Sequence, residues 1–355
     1  MKRLVIEKQA VKHNVEIVRE KAGAAVSYAV LTGDAYGAGL AEMGKLLREE
    51  GISRFAVSEP GDAAALRKAG LVEEEILMLR SITNRENLEA LIDLNVVCTI
   101  GSYDTGVALN GLAEARATVV EAHLQLDTGM GLGGFLTEEM DKILAMFRYL
   151  PNVAISGVYT QIYVPKWREK NALAQEEDFQ TALETIRAEG FETGTVHAAG
   201  SYALMHGCVA CLDAVRVGSA LMGRGRRGKD GLLTKVGYGE AALEEVRWLP
   251  RGHTVGTHRQ VALRKPTRVA VIPVGSQNGM SVSFSRENKL WETLRRWWAS
   301  RRMRVRIGGQ RVKVIGSIGA LETILDVTDV KCAAGDIAVF ELDPLYAKGM
   351  ERVYR

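Results

Sequence analysis

A chain of 355 residues with 47% hydrophobic side chains is long enough for one large domain and a smaller one, and apolar enough to give both a core. A net charge of +3 is too mild to imply nucleic acid, and the apolar runs are too short and interrupted for a transmembrane helix. Four cysteines at this length are not a disulfide framework, and the start MKRLVIEKQAVKHN is charged where a secretion signal is apolar, which points to the cytoplasm.

Taken in order, Glu7 to Lys21 reads as a first helix and Tyr28 to Leu31 as a short buried strand. The stretch Asp34-Ala-Tyr-Gly-Ala-Gly39 then turns sharply, with glycines where the backbone must bend or approach a ligand. Ala41 to Glu50 is a second helix, with Met43, Leu46 and Leu47 on one face. Phe55 to Ser58 reads as a strand, followed by a helix from Pro60 to Ala69. Apolar runs at Ile76–Leu79, Val96–Ile100, Val119–Leu126, Val153–Tyr159, Thr195–His197 and Ala214–Val217 bring the strands to eight. Eight strands alternating with helices predict an α/β fold whose N-terminal part is a (β/α)8 barrel of the TIM type, over residues 1–228.

The basic run RGRRGKDG at 224–231 breaks that pattern and reads as a solvated linker rather than a phosphate site. Beyond it come strand-like runs at Arg268–Val274, Val305–Ile307, Val312–Ile315, Ile324–Val327 and Ile337–Phe340, with turn residues such as Gly308-Gly309 between them. They predict a smaller, mostly-β C-terminal domain over residues 229–355. Within it, residues 284–304 read as an inserted helix with Leu290, Trp291, Leu294, Trp297 and Trp298 on one face and Arg295, Arg296, Arg301 and Arg302 mostly on the other. Three readings stand for that face: packing against its own domain, which is favoured, docking of a protein partner through Trp291, Trp297 and Trp298, or, least favoured, contact with a membrane surface or nucleic acid. Cys208-Val-Ala-Cys211 has CxxC spacing on an expected barrel helix, but no second ligand pair accompanies it, and no metal is expected. His13, His206, His253 and His258 form no HxxxH or HExxH pattern and read as structural or surface residues.

Seven segments carry a resemblance: AVLTGDAYGAG (29–39), HLQLDTGMGLGGF (123–135), SGVYTQI (156–162), HAAGSYALM (197–205), AVRVGSALMG (214–223), IPVGSQNG (272–279) and GSIGALETILDVTDV (316–330). In order and spacing they resemble the alanine racemases over nearly the whole chain. The resemblance implies a pyridoxal-phosphate barrel followed by a β-domain, working as a head-to-tail homodimer whose sites take residues from both chains. It matches Tyr36, Ser201, Gly218 and Ser219 to groups around the cofactor phosphate, Arg216 to the arginine facing the pyridine nitrogen, and His197 to its neighbour. Backbone amides beside glycine and a hydroxyl suit a dianion.

The positions that resemblance assigns to chemistry carry other residues. Thr32 stands for the lysine that forms the Schiff base and is one catalytic base, and a threonine has no amine. Ser276 stands for the tyrosine that is the other base. Gln125 stands for a lysine that many members carbamylate, Leu132 for the arginine near the phenolic oxygen, and Gln161 for a histidine beside the ring. Ala320 and Leu321 occupy a segment that usually reads Met-Asp and contacts the substrate carboxylate, and the tail ELDPLYAKGMERVYR is shorter than the family's usual ending. The leading expectation is a racemase-like pseudoenzyme with a binding, scaffolding or regulatory role, taking pyridoxal phosphate non-covalently or not at all. The alternative is an amino-acid racemase or other enzyme of this class with a repurposed pocket, in which Tyr36, Tyr163, Lys166 or a partner's residue moves the proton.

Overall fold

The computed structural model describes residues 1–163, 169–224, 231–256, 261–280 and 305–355. The Trp291/Trp297/Trp298 segment, Lys166 and His258 lie outside them. The chain divides into two units, one of residues 9–235 and one of residues 1–8 with 236–355.

In the larger unit, α1 (Lys8–Ala22) leads into β2 (Val26–Val30), after β1 (Lys2–Ile6) of the other unit. Then follow α2 (Thr32–Tyr36), α3 (Leu40–Glu49), β3 (Arg54–Val57), α4 (Pro60–Lys68), β4 (Glu75–Met78), α5 (Arg85–Asp93), β5 (Cys98–Ile100), α6 (Tyr103–Ala115), β6 (Val120–Asp127), the short β7 (Phe135–Leu136), α7 (Met140–Tyr149), β8 (Val153–Thr160), α8 (Glu169–Ala188), β9 (Thr195–Gly200), α9 (Ser201–His206) and β10 (Ala214–Val217). Eight of these strands pair in parallel in the order β4-β3-β2-β10-β9-β8-β6-β5. The bridge Leu77–Val97 joins the two ends, with Met78 N–H donating to Val97 O and Val97 N–H to Ile76 O, both at 2.9 Å. The ring is therefore the predicted parallel barrel. Strands covered on both faces carry apolar runs rather than alternation, which is why they were readable. Helix starts are set locally: Asn84 and Ser102 cap α5 and α6 by accepting from Asn87 N–H (3.0 Å) and Thr105 N–H (3.3 Å).

The smaller unit adds β11 (Gly237–Ala242), β12 (Glu245–Leu249), β13 (Thr254–Val255), β14 (Val261–Ala262), β15 (Thr267–Ile272), β16 (Val305–Ile307), β17 (Gln310–Val314), β18 (Thr323–Asp326), β19 (Ile337–Phe340) and β20 (Glu351–Tyr354). Nine strands run in the order β12-β15-β18-β17-β16-β19-β11-β1-β20. The division at 228/229 placed residues 1–8 in the barrel. Here β1 instead pairs antiparallel with β11 and parallel with β20. Its apolar Leu4-Val5-Ile6 run completes that sheet's core, and no short-range pattern reveals a partner more than 230 residues away. The C-terminal tail is likewise a paired strand. Among the described residues no helix is long and apolar enough to cross a membrane.

The β1 assignment has a stability consequence. Leu4 is 1% exposed, so Leu4→Ala in the full chain should cost about 2–5 kcal/mol in urea unfolding of the β-domain, read from its own tryptophan fluorescence. A cost below about 0.5 kcal/mol would contradict the assignment.

Candidate active site

The barrel's carboxyl end gathers the functional side chains, as such barrels do. Leu31 follows β2 into an unusual turn. Gly33, Asp34 and Ala35 take φ/ψ of (63°, 47°), (57°, 48°) and (53°, 51°), and Tyr36 has φ 56°. The element α2 is thus one turn of left-handed helix, closed by Ala35 N–H to Leu31 O (3.0 Å) and Gly37 N–H to Gly33 O (2.9 Å). L-residues resist this by about 1–2 kcal/mol each, and Asp34, Ala35 and Tyr36 all bear side chains. The Asp34 carboxylate compensates by accepting Leu40 N–H at 2.8 Å, which also starts α3. The sequence reading of a sharp glycine turn was right about the bend and missed its hand.

That hand aims Tyr36 at the loop after β10. A methyl group on Gly218 would sit 2.5 Å from the Tyr36 hydroxyl and 2.7 Å from Val30 O, so only glycine fits there. Ser201, at the start of α9, accepts Gly218 N–H (3.0 Å) and Ala220 N–H (3.3 Å) on its hydroxyl oxygen. Burial raises the Tyr36 phenol; the Thr32 side chain, the Arg224 charge and the Ser219 N–H oppose that shift. Four expected phosphate-site residues, Tyr36, Ser201, Gly218 and Ser219, are therefore brought together with Thr32 in one cluster. Arg224 joins them: its guanidinium carbon lies 5.6 Å from the Tyr36 ring centre. The reading of Arg224 as part of a solvated linker is thereby corrected.

Beside this cluster Arg216 is 4% exposed. One of its Nη atoms donates to His197 O (3.1 Å) and to the His197 Nδ1; the other donates to Thr160 O (2.6 Å) and Gln161 Oε1 (2.8 Å). All four Nη hydrogens are engaged, leaving Nε–H. The guanidinium also lies 4.8 Å above the Tyr159 ring. Because arginine only donates, His197 Nδ1 is an acceptor, and its Nε2–H donates to His123 Nδ1 at 2.9 Å. Both imidazoles are neutral. Burial and then the Arg216 charge push His123 down to about 3 and hold His197 well below the ordinary range. Burial also draws Arg216 down to about 10, leaving it charged at neutral pH. Tyr159 stacks on His197 with centres 4.9 Å apart, and its hydroxyl donates to Leu79 O at 3.2 Å.

Within the barrel unit, Gln125 and Leu132 do not join this cluster. Gln125, on β6, donates to Gly133 O at 3.2 Å in the loop that follows that strand. Leu132 is 73% exposed. Asp127 holds that loop by accepting the N–H groups of Gly129, Met130 and Gly131. Ser276 and Ala320 belong to the β-domain unit. There the Ser276 N–H and hydroxyl donate to Gly319 O at 2.9 and 3.3 Å, and Gln277 N–H donates to Ala320 O at 2.9 Å. Tyr163 is exposed, and its amide pairs with Gln175. Cys208 and Cys211 are not on a helix: α9 stops at His206, because Gly207 turns left-handed at φ 60°. Among the described residues no group of three or more His, Cys, Asp or Glu is placed to hold a metal. His123, Tyr159 and Arg224 were missed as site residues. The HLQLD pattern of β6 did place His123 on a barrel strand.

Eight parallel strands in a ring, with hydroxyls and amides gathered at the carboxyl end, define an α/β-barrel protein. The family model for the alanine racemase N-terminal domain matches residues 6–225, and that for the alanine racemase C-terminal domain matches 238–344. The chain belongs to the alanine racemase family. It is 30% identical over 292 residues to the alanine racemase of Carboxydothermus hydrogenoformans, covering 81% of this chain and 78% of that one. It is 28% identical over 342 residues to that of Methylacidiphilum infernorum, covering 94% and 81%. Among solved structures, the alanine racemase of Clostridium difficile 630 superposes with a TM-score of 0.85 at 20% identity, covering 100% of this chain and 95% of that one. The Bartonella henselae alanine racemase, with covalently bound pyridoxal phosphate, gives 0.79 at 20% identity, covering 100% and 99%. At such identities the structures report the fold.

The neutral histidine pair fixes a pH response. Its folded-state pKa values are depressed below the unfolded 6.5, so its stabilisation is complete above about pH 6.5 and falls as pH drops toward 3. Between pH 6.5 and 5, above the carboxylate range, unfolding free energy should fall with a slope that steepens toward a limit of about 1.4 kcal/mol per pH unit for each imidazole. Urea titrations of the native chain and His123→Gln check this: the variant should show a shallower slope, and equal slopes would contradict it.

Proposed function

We propose that this member of the alanine racemase family binds a phosphorylated ligand without a covalent bond and has lost racemase chemistry, acting as a binding or regulatory protein. The observation that carries this is the end of β2, where Thr32 stands beside the Tyr36 hydroxyl. None of the eight barrel strands, nor the three residues after each, contains a lysine. The polar groups present suit a phosphate: the hydroxyls of Tyr36 and Ser201 and the amides of Gly218, Ser219 and Ala220 lie together, Ser201 accepting from Gly218 and Ala220 and the Tyr36 oxygen from Ser219. The same site does not fit pyridoxal phosphate held through a lysine, and no step is assigned to that cofactor.

The groups needed to move a proton at an α-carbon are absent from the family's two positions, now Thr32 and Ser276. Arg216, the histidine pair and Gln161 form a self-satisfied network that shapes the pocket wall. Gln161 answers Arg216 with an acceptor where a protonated histidine would repel it. Assembly as a homodimer, as the family does, and a cytoplasmic location complete the reading. The alternative, an active racemase using other groups such as Tyr163 or Lys166, is favoured by the relatives' shared activity and is an outcome of the test.

The test is proton exchange. The full chain, with excess pyridoxal phosphate and L-alanine in deuterium oxide, is followed by NMR at the α-carbon. No incorporation above the protein-free control is expected, for D- or L-alanine. Enzyme-dependent exchange would overturn the proposal and establish the alternative.

A further inference from the structure

We propose that Arg224 is a ligand-facing charge of the cradle, selecting a phosphomonoester or phosphate dianion and holding it by charge in place of a covalent anchor. This rests on the phosphate reading above and adds to it a residue the resemblance does not assign.

The placement of Arg224 is built into the fold. The loop after β10 winds back on itself, with Met222 N–H donating to Gly218 O (3.2 Å), Gly223 N–H to Ala220 O (2.9 Å) and Arg224 N–H to Ser219 O (2.7 Å). Arg224 is thereby tied by its backbone to the residue whose amide lies in the cradle. Gly223 takes φ 62°, and a methyl group on it would meet Thr234 O at 2.0 Å, so the chain presses against residue 234 at that point. Residue 234 is fixed in turn by Asn14 of α1, which is fully buried. The Asn14 amide donates to Leu221 O (3.0 Å) and Thr234 O (2.7 Å), and its carbonyl accepts Thr234 N–H (2.8 Å). A buried asparagine bracing both sides of the loop leaves the Arg224 side chain directed back over Tyr36.

The chemistry follows from that position. Every other polar group in the cradle is neutral, and the amides of Gly218, Ser219 and Ala220 already donate to the Ser201 and Tyr36 oxygens. A dianion held only by neutral donors dissociates readily when no covalent bond retains it. A guanidinium over the Tyr36 ring adds long-range attraction that neutral dipoles lack, and it recognises phosphate oxygens in a planar, two-pronged manner. The Arg224 field already acts on that hydroxyl, since it opposes the burial-driven rise of the Tyr36 phenol. Electrostatic capture also predicts sensitivity to ionic strength.

The test uses the full chain and three probes: pyridoxal 5′-phosphate, inorganic phosphate, and pyridoxal, which lacks the phosphate. Isothermal titration calorimetry measures affinity for the native chain, Arg224→Ala and Arg224→Lys, and each protein's thermal unfolding is compared with its own ligand-free state. The native chain should bind both phosphate-bearing probes, bind pyridoxal far more weakly, and lose affinity as salt rises. Arg224→Ala should weaken phosphate binding about ten-fold or more, and Arg224→Lys, which keeps the charge and loses the two-pronged geometry, should recover only part of it. Equal affinity in the native chain and Arg224→Ala would overturn the role of Arg224 while leaving the phosphate site standing. Absence of binding by either phosphate-bearing probe to the native chain would overturn the phosphate reading and this inference with it.

Discussion

A guanidinium buried to 4% exposure must find acceptors for nearly every hydrogen it carries, and Arg216 finds them on two other strands at once. The carbonyl of Thr160 and the side chain of Gln161 come from the end of β8, His197 supplies its carbonyl and ring from β9, and the arginine itself stands on β10. The rest of the polar interior follows from that choice. A cation here keeps His197 and His123 neutral and fixes which nitrogen of each carries the proton. Tyr159 stacks on the His197 ring, and its hydroxyl reaches Thr99 on β5, carrying the network across the barrel. Removing Arg216 would leave several acceptors unsatisfied at once, whereas removing Gln161 would free one hydrogen of the guanidinium. Gln161 is thus suited to its place beside a permanent cation, whatever the family's histidine does there.

The second constraint is the left-handed turn after β2. Its backbone is unfavourable for three of its residues, and it persists because Asp34 ties it to α3 and because Tyr36 packs into the groove that Gly218 leaves. The turn and the loop after β10 face each other through hydroxyls and amides, so the cradle holds together without a bound anion. In the proposed reading, binding geometry and bond-making chemistry separate: polar groups cluster around Tyr36 and Ser201, while Thr32 and Ser276 stand where the resemblance assigns the two bases. The Thr32 side chain hydrogen-bonds the Tyr36 phenol across that turn.

Legibility in the sequence followed the range of the interactions. The eight barrel strands could be read because burial on both faces makes each a continuous apolar run. The strands β11 and β20 could not, since Gly237-Tyr-Gly-Glu and Glu351-Arg-Val-Tyr have no alternation of their own and are ordered by β1. The placement of β1 failed for the same reason. Glycines 33, 37 and 39 announced a bend, but nothing local shows that Asp34, Ala35 and Tyr36 take positive φ, because that is imposed by packing. The cradle residues were legible through the family's motifs, residue by residue. His123 and Arg224 were not: one pairs across 74 residues of sequence, and the other looks like the first residue of a basic linker. The CxxC pair was placed on a helix that Gly207 ends before it is reached.

The account rests on Thr32 marking the absence of a covalent anchor anywhere in the chain. The direct measurement is an absorbance spectrum of the purified protein with added pyridoxal phosphate, followed by borohydride reduction and intact and peptide mass analysis. The account predicts no reducible adduct at a defined lysine beyond that seen in the unfolded chain. A stoichiometric adduct on one lysine of the folded protein would contradict it.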